Sequence, residues 1–217
     1  MEKSILILSG GLDSTVSSFI AKEKTTPILA LTFDYGQRAA KREIGAASKV
    51  AQKLGVEHRI MSLGWLAEIT KTSLVNRREK IPILNEKELD DVDRTLQTAK
   101  AVWVPNRNGV FLNIAAAFAE ALEASLLVTG FNAEEGITFP DNSAPFSRAA
   151  DDFFWFSTLN KVKVTSFTQG MTKVEIAKKG KELGINFNEI WFCYEGGEKR
   201  CGVCESCQRS LRAFREL

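Results

Sequence analysis

Four cysteines lie in one short stretch near the end of the chain. Cys193, Cys201, Cys204 and Cys207 are the only cysteines among 217 residues, with the spacing C-x7-C-x2-C-x2-C. Four thiolates complete a tetrahedral zinc shell, and such a shell is structural because it leaves no position for water. An iron–sulfur cluster also uses four cysteines, and a C-x-x-C pair can be redox-active. The spacing favours one structural zinc ion over these alternatives.

A second pattern with chemical potential follows the first apolar run: residues 9–15 read SGGLDST. Two glycines permit a tight turn, and the exposed amides at the start of a helix attract anions. Hydroxyl groups at Ser9, Ser14 and Thr15 add donors. The pattern therefore predicts a loop that binds pyrophosphate. It is not a Walker motif, because the Gly-Lys-Ser/Thr ending is absent. A plain strand-to-helix turn with Ser14 as the N-cap is the simpler interpretation, and both can hold together.

The elements that must position these residues alternate along the chain. Short apolar runs predict strands at 4–8, 28–33, 57–63, 125–129 and 162–166, and helical periodicity predicts helices at 15–24, 37–54, 110–123 and 172–183. Thr172 and Glu175 form a capping-box pattern at the last of these helices. Strands separated by helices predict an α/β fold with a parallel sheet. Ligands bind at the carboxyl ends of such strands.

Composition excludes several classes of function. The net charge is +2, from 29 basic and 27 acidic residues, which gives no overall attraction to nucleic acid. His58 is the only histidine, so triads that depend on a histidine base are nearly excluded. No apolar run is long enough to cross a bilayer, and no secretory signal is visible. We therefore expect a cytoplasmic protein.

Residues 9–15 resemble the SGGxDS signature of the ATP-pyrophosphatase, or PP-loop, superfamily. The segments FDYGQR at 33–38 and VPNRN at 104–108, followed by the four cysteines, resemble the 7-cyano-7-deazaguanine synthase family of that superfamily. The resemblance runs from Ile5 to Phe214. It implies a Rossmann-like PP-loop fold in residues 1–190, and a zinc-binding segment at 191–217 whose basic helix packs on it. Residues 65–104 fit the alternation poorly and are predicted to be an insertion over the site or at a subunit contact.

The resemblance implies an ATP-dependent ligase that forms a carbon–nitrogen bond. Its substrates would be 7-carboxy-7-deazaguanine and ammonia, its product the nitrile, and its intermediates an adenylated carboxylate and an amide, in the queuosine or archaeosine pathway. ATP, Mg²⁺ and one structural Zn²⁺ are the implied ligands. A homodimer is expected, with no direct nucleic-acid binding.

The same resemblance assigns roles to individual residues. Catalytic roles fall to Asp13, which would lie near the magnesium, and to Arg107 and Lys173. Substrate binding would involve Asp141, Glu135 and Arg107. The ATP-binding residues implied are Leu8, Ser9, Gly10, Gly11, Leu12, Asp13, Ser14, Thr15 and Phe33. Three of the assigned residues have a plainer interpretation: Arg107 as a surface or loop salt bridge, Lys173 as a solvated lysine at a helix start, and Asp141 as a turn residue. Trp103, Trp155 and Trp191 are predicted to lie in the core or an interface.

One segment departs from the family pattern. The family carries Tyr-Pro-Asp-Cys-Arg where this chain has FPDNS at 139–143. Asp141 is retained and can accept N–H bonds from a guanine-like edge. Asn142 and Ser143 replace the cysteine and the arginine. If the family arginine holds the substrate carboxylate, this chain must use another group for it or act on another substrate.

Two other functions remain open from sequence. A PP-loop enzyme that modifies tRNA with sulfur would need a catalytic cysteine outside the zinc set and a basic surface. A regulator or adapter would retain ATP binding and use the cysteine segment to bind nucleic acid or protein.

Overall fold

Five parallel strands form a single sheet. A computed structural model describes all residues from 1 to 217. The strands are β1 (Lys3–Ile7), β2 (Thr26–Asp34), β3 (Glu57–Ser62), β4 (Leu126–Thr129) and β5 (Lys163–Ser166). Their order is β3-β2-β1-β4-β5, and every neighbouring pair is parallel. The predicted α/β parallel-sheet fold is therefore confirmed.

Helices connect the strands and follow the last one. They are α1 (Leu12–Lys24), α2 (Ala40–Leu54), α3 (Gly64–Ile69), α4 (Val92–Val102), α5 (Arg107–Ala121), α6 (Glu135–Thr138), α7 (Ala144–Ser157), α8 (Lys173–Glu182) and α9 (Glu205–Arg215). Short 3-10 helices span Glu86–Asp90 and Pro140–Asn142. No helix combines the length and the apolar character needed to span a membrane.

The predicted helices all form but with different ends, and the sequence pattern did not predict α3, α4, α6 or α7. Helix α1 begins three residues before the predicted start, α2 begins three residues after it, and α5 begins at Arg107 rather than at 110. Periodicity marks the buried face of a helix, whereas the local backbone decides where it starts. The capping box at α8 is confirmed: Thr172 Oγ1 accepts from Glu175 N at 3.3 Å, and Glu175 Oε2 accepts from Thr172 N at 2.8 Å.

The central strands are buried on both faces of the sheet, and their consecutive residues point to opposite sides. Leu29 and Leu31 of β2 belong to the larger apolar cluster, and Ala30 between them belongs to the smaller one. Helix α2 covers the smaller cluster with residues such as Val50 and Leu54. The sequence signature of this arrangement is the continuous apolar character of the central strands.

The C-terminal segment shares the main core. Cys193, Cys204 and Cys207 belong to the same cluster of 31 buried residues as the central strands. The 65–104 segment lies between the two parts: Leu84 N donates to Val203 O at 3.2 Å, and Ile83 forms an isolated antiparallel bridge with Cys204. The long segment therefore joins the cysteine cluster to the rest of the fold.

Candidate active site

A cavity of about 240 Å³ opens at the carboxyl ends of β1 and β4. Strand β1 has β2 on one side and β4 on the other, so the chain reverses its direction of winding there. Open parallel sheets bind ligands at such a switch point, because the loops that leave the two strands diverge. Helix α1 starts at this edge and directs its N-terminus toward the cavity wall.

Two glycines hold the loop after β1 close to its neighbours. Gly10 has φ +77°, and a Cβ on it would lie 2.6 Å from Ala47 N. Gly130, just after β4, would place a Cβ 2.5 Å from Ser14 N. Neither position accepts a side chain without moving backbone. Gly11 is different: its φ is −80°, and its Cβ would meet Ser9 Oγ at 3.4 Å, an ordinary contact.

The hydroxyl groups of the loop bond to one another. Ser9 Oγ lies 2.9 Å from Ser14 Oγ and accepts from Gly11 N at 3.3 Å. The predicted N-cap role of Ser14 is wrong: Gly11 is the N-cap residue, with no side-chain cap. The helix starts earlier than predicted, so Ser14 lies inside its first turn, and this residue lines the cavity.

A buried cluster of three charges forms the side of the cavity next to the loop. The Lys173 ammonium donates to Asp13 and to Glu135 Oε1, the latter at 2.6 Å. Lys173 is only 5% exposed, so its interpretation as a solvated helix-start lysine is wrong. Burial would lower the pKa of Lys173, but the two carboxylates more than offset it and raise the pKa. The lysine therefore stays charged beside them.

Asp13 is the unusual member of this cluster. Its Oδ1 is buried without any hydrogen-bond partner. Burial raises the pKa of Asp13 to about 6, although Lys173 opposes the shift. An unpartnered buried carboxylate oxygen is costly, and it suits a hard cation that takes oxygen ligands.

Arg107 faces the cavity from the start of α5. Its Nη1 donates to Tyr35 Oη at 3.3 Å, and its Nε donates to Asn108 Oδ1 at 3.3 Å. Both acceptors are neutral, and Arg107 forms none of the salt bridges of the chain. Its interpretation as a loop salt bridge is therefore wrong. Burial would lower the pKa of Arg107, but Tyr35, Asp141 and Glu43 outweigh it and raise the pKa. The guanidinium remains charged and free to bind an anion.

Asp141 and Asn142 lie in the 3-10 turn opposite Arg107. Burial raises the pKa of Asp141, while Arg107 opposes the shift. Asn108 Nδ2 donates to the carbonyl of Asp141 at 3.0 Å. Asn142 is buried and donates from Nδ2 to Glu135 Oε2 at 3.3 Å. The departure from the family pattern at Asn142 is thus accommodated within the charged cluster.

Ser143 occupies the position where the family carries an arginine, and here it caps a helix. Its hydroxyl accepts from Phe146 N at 3.3 Å as the N-cap of α7. It contributes no positive charge, so the cations that line the cavity are Arg107 and Lys173.

Aromatic rings form the remaining wall. Phe33 and Phe111 stack with centroids 4.0 Å apart. Trp103 and Trp191 also line the cavity, and Trp191 packs against the main core, as one of its two predicted locations required. Trp155 is 56% exposed and lies outside the core. Four residues of the 65–104 segment line the cavity: Leu74, Val102, Trp103 and Val104. The role of the segment as an insertion over the site or at a subunit contact stays a prediction.

Most of the predicted small-molecule site residues line this one cavity. They are Leu8, Ser9, Gly11, Leu12, Asp13, Ser14, Phe33, Arg107, Glu135, Asp141 and Lys173. Gly10 and Thr15 do not line it; Gly10 supports the turn, and the Thr15 hydroxyl is buried without a partner. Sequence reasoning did not single out Tyr35, Glu43 or Tyr194, which also line the cavity. The FDYGQR segment was the available signal for Tyr35.

The four cysteines form a separate cluster beside the cavity. Their sulfur atoms all lie within 4.8 Å of one another, and none forms a disulfide. Tetrahedral zinc with Zn–S bonds of about 2.3 Å separates its sulfurs by about 3.8 Å, so the donor set fits one such ion. Cys193 Sγ accepts from Glu195 N and Cys201 N, each at 3.3 Å. Amide donors of this kind stabilise thiolates.

Helix α9 connects the cysteine cluster to the charged cluster. Arg209 pairs with Glu205 at 3.0 Å and with Glu134 at 3.3 Å. The other oxygen of Glu134 accepts from Lys173 N at 2.7 Å. Arg212 pairs with Asp90 and Arg215 with Glu86. The three arginines of this helix, Arg209, Arg212 and Arg215, therefore each pair with an acid.

The fold and site together define a class: a parallel α/β protein with a loop rich in glycine and serine at the switch point and a four-cysteine cluster beside it. The loop comprises residues 9–15 and is called the phosphate-type loop below. A solved 4-thiouridine synthetase–RNA complex with bound ATP shares the fold, with a TM-score of 0.51 and 22% identity over 84% of this chain and 41% of that one.

Residues 3–217 match the family described as "Queuosine biosynthesis protein QueC", and the chain belongs to this family. A 7-cyano-7-deazaguanine synthase of Pelotomaculum thermopropionicum is 52% identical over 97% of this chain and 96% of its own length. One from Methanosarcina mazei is 50% identical over 99% of this chain and 94% of its own length. The family resemblance seen in the sequence is confirmed.

Proposed function

We propose that this chain is an ATP-dependent ligase that converts 7-carboxy-7-deazaguanine and ammonia to 7-cyano-7-deazaguanine. The observation that carries the proposal is a single cavity that combines a phosphate-type loop with an unpaired guanidinium, Arg107, and the acid Asp141. The relatives named as synthases over nearly the whole chain support the same substrate. The product would serve the queuosine or archaeosine pathway.

The loop after β1 would hold the ATP phosphates. Gly11 opens toward the cavity, and the Ser9 and Ser14 hydroxyl groups supply donors beside the amides of α1. Asp13 would hold Mg²⁺ through Oδ1, its oxygen without a partner. When bound, the ion would neutralise part of the triphosphate charge. Lys173 lies next to Asp13 and would stabilise the leaving pyrophosphate.

The deazaguanine would lie between the 3-10 turn and α5. Asp141 would accept N–H bonds from the amine edge of the ring. Arg107 would hold the carboxylate, since Ser143 provides no cation and Lys173 lies beside Asp13, where it is assigned to the pyrophosphate. A guanidinium matches the planar geometry of a carboxylate. Glu135 would act indirectly by fixing Lys173 and Asn142.

The chemistry asks mainly for positioning. A carboxylate becomes an electrophile when its oxygen attacks the α-phosphorus of ATP and pyrophosphate leaves. Ammonia then attacks the adenylated carbon, and AMP leaves to give the amide. A second activation at the amide oxygen and loss of AMP give the nitrile. Holding the reactants in this geometry and stabilising charge supply the rate, and no covalent nucleophile is needed.

The four cysteines would hold one structural Zn²⁺. The shell would be closed by four sulfurs, so it would supply folding energy and take no part in the reaction. The 191–217 segment would then act as a clamp that positions α9 and, through Glu134, the start of α8.

The direct test is incubation with ATP, Mg²⁺, ammonium and 7-carboxy-7-deazaguanine, followed by mass detection of the amide and nitrile. We expect both products and one pyrophosphate for each activation. Arg107→Lys should raise the substrate concentration required, because an ammonium cannot bind a carboxylate in two places. Arg148→Lys, on the exposed side of α7, is the matched control. Binding of ATP without any amide or nitrile would contradict the proposal.

The expected homodimer remains a prediction. Helix α7 and the following turn expose Phe153, Trp155, Phe156 and Leu159, the last at 90%. Large apolar side chains exposed so close together are typical of an interaction surface, and a second copy of the chain would cover them. Sedimentation should give a dimer, and Phe156→Glu should give a monomer. A monomeric parent chain would contradict this. The cytoplasmic location also stays a prediction.

A further inference from the structure

Four acidic residues line the cavity, and three of them already have partners or proposed roles. Asp13 and Glu135 pair with Lys173, and Asp141 lies in the turn assigned to the deazaguanine ring. The fourth is Glu43, in the first turn of α2. Nothing in the activation of the carboxylate uses it.

Glu43 is held by a fully engaged glutamine. Gln37 Nε2 donates to Glu43 Oε2 at 2.8 Å and to Phe33 O at 3.0 Å. At the other end of the same amide, Gln37 Oε1 accepts from Tyr35 N at 2.9 Å. Gln37 is only 4% exposed. Because both ends of its amide are fixed by backbone, it holds one oxygen of Glu43 in place.

The second oxygen of Glu43 is free. Oε1 accepts no hydrogen bond from the chain, and Glu43 forms no salt bridge. The charged or titratable groups that face it are Asp34, Tyr35 and Arg107. Burial raises the pKa of Glu43, while Gln37 and Arg107 oppose the shift. A half-buried carboxylate with one free oxygen suits a small cation that donates N–H bonds.

We propose that Glu43 is a catalytic residue that binds the ammonium ion and takes a proton from it. This inference rests on the proposed function. The nucleophile of that reaction is ammonia, whereas the form that predominates at neutral pH is ammonium, which has no lone pair. The cavity therefore needs a base close to the adenylated carboxyl group.

The step balances without any further reactant. An N–H bond of ammonium breaks, its electron pair stays on nitrogen, and the proton passes to Glu43 Oε1. The lone pair of ammonia then forms the C–N bond at the adenylated carbon. The C–O bond to AMP breaks, and AMP takes that electron pair. The surplus proton on nitrogen and the proton on Glu43 are released to solvent, which leaves the amide.

The position of Glu43 agrees with the proposed place of the carboxylate. The charge of Arg107 is felt by both Asp141 and Glu43. If Arg107 holds the carboxylate and Asp141 holds the ring, Glu43 is the acid left to serve the carbon under attack. Asp13 and Glu135 are less suited to this task because both pair with the charged ammonium of Lys173, which would repel an ammonium ion, whereas the partner of Glu43 is the neutral amide of Gln37.

Glu43→Gln tests the role by separating the two halves of the reaction. Exchange of labelled pyrophosphate into ATP, with 7-carboxy-7-deazaguanine and no ammonium, reports the adenylation alone. We expect exchange and the thermal midpoint to stay at their parental values, while kcat/KM for ammonium in amide formation falls about 10²-fold. The defect should shrink as the pH rises and free ammonia predominates, because free ammonia needs no base. Glu23→Gln, on the exposed side of α1, is the control.

Gln37→Met provides a second measurement. It keeps the Glu43 carboxylate but removes the donor that fixes it, so it should lower kcat/KM for ammonium by a smaller factor, again with normal exchange. A Glu43→Gln enzyme with parental ammonium kinetics would overturn the proposal. Loss of exchange in that variant would also overturn it, because Glu43 would then serve ATP, the metal or the fold. Absence of exchange in the parental chain would instead refute the proposed function.

Discussion

The cysteine cluster and the phosphate-type loop are both short motifs, but they differ in what their polar atoms face: those of the cluster face one another, whereas the loop lines an open cavity. The sulfurs of the cluster face one another within 4.8 Å, and three of the four cysteines are buried. The hydroxyl groups of Ser9 and Ser14 line an open cavity. A closed donor set can stabilise a fold, whereas an open one can bind a substrate. Mutations in the two regions should therefore affect different measurements.

The largest effect is expected in the cysteine cluster. Cys204→Ala removes one of four proposed ligands, and metal binding at such a site is coupled to folding. The zinc content should fall from about one per chain, and the thermal midpoint should drop by about 10 °C or more, since 1 kcal/mol corresponds to roughly 2–4 °C at this size.

Val203→Ala, on the exposed residue beside it, controls for local packing and should retain zinc. A parental chain that is folded without metal, or that contains iron, would contradict the assignment. Elemental analysis decides between these outcomes.

The next largest effect is expected at the phosphate-type loop. Gly11→Val should abolish ATP binding in calorimetry, because the branched side chain would fill the space of the phosphates. The fold should survive, since Gly11 has an ordinary φ and room for a Cβ. The thermal midpoint without ligand should not change.

Gly10 sharpens the contrast within the same loop. Gly10→Val should lower the thermal midpoint, because φ is +77° and the Cβ would meet backbone. Gly170→Val, where a Cβ meets nothing within 4 Å, should leave both measurements unchanged. Normal ATP binding by Gly11→Val would place the ATP site elsewhere.

A smaller effect is expected at Asp141. Loss of one partner of a buried charged hydrogen bond costs on the order of 2–5 kcal/mol, so Asp141→Asn should raise the KM for the deazaguanine by tens of times or more. ATP affinity should stay constant. Because burial raises the pKa of Asp141, its carboxylate is protonated at a higher pH than that of a free aspartate. Substrate affinity should therefore weaken as the pH falls, and the Asp141→Asn variant should not show this pH dependence.

The alternative role of Asp141 gives the opposite result. A residue that only stabilises the turn would lower the thermal midpoint and leave KM unchanged. Asp152→Asn, on the exposed side of α7, is the matched control for both measurements.

The smallest effect concerns the connection between the two regions. Glu134 accepts from Arg209 of the cysteine-segment helix and from Lys173 N beside the loop. Glu134→Gln should retain zinc, lower kcat several-fold by loosening Lys173, and reduce the thermal midpoint by a few degrees. Glu198→Gln, on an exposed acid of the cysteine segment, should do neither. Parental kinetics in Glu134→Gln would mean that the two regions work independently.

The local motifs were predictable from the sequence because their chemistry depends on neighbours along the chain. The glycines and hydroxyl groups of residues 9–15, the four cysteines and the Thr172–Glu175 capping box all lie within a few residues of their partners. The alternation of strands and helices was predictable for a similar reason, since apolar periodicity follows the geometry of each element. The carboxyl-edge position of the site followed from the parallel sheet.

The tertiary structure decided which residues face each other across the cavity. Lys173 lies 160 residues from Asp13 in the sequence, and nothing near it along the chain distinguishes a solvated lysine from a buried one. Glu43 is an ordinary helical acid in the sequence, and only the approach of α2 to the loop and the fixed amide of Gln37 make it a base in the cavity. Burial changes the charge behaviour of such groups because it removes water, and burial depends on distant parts of the chain.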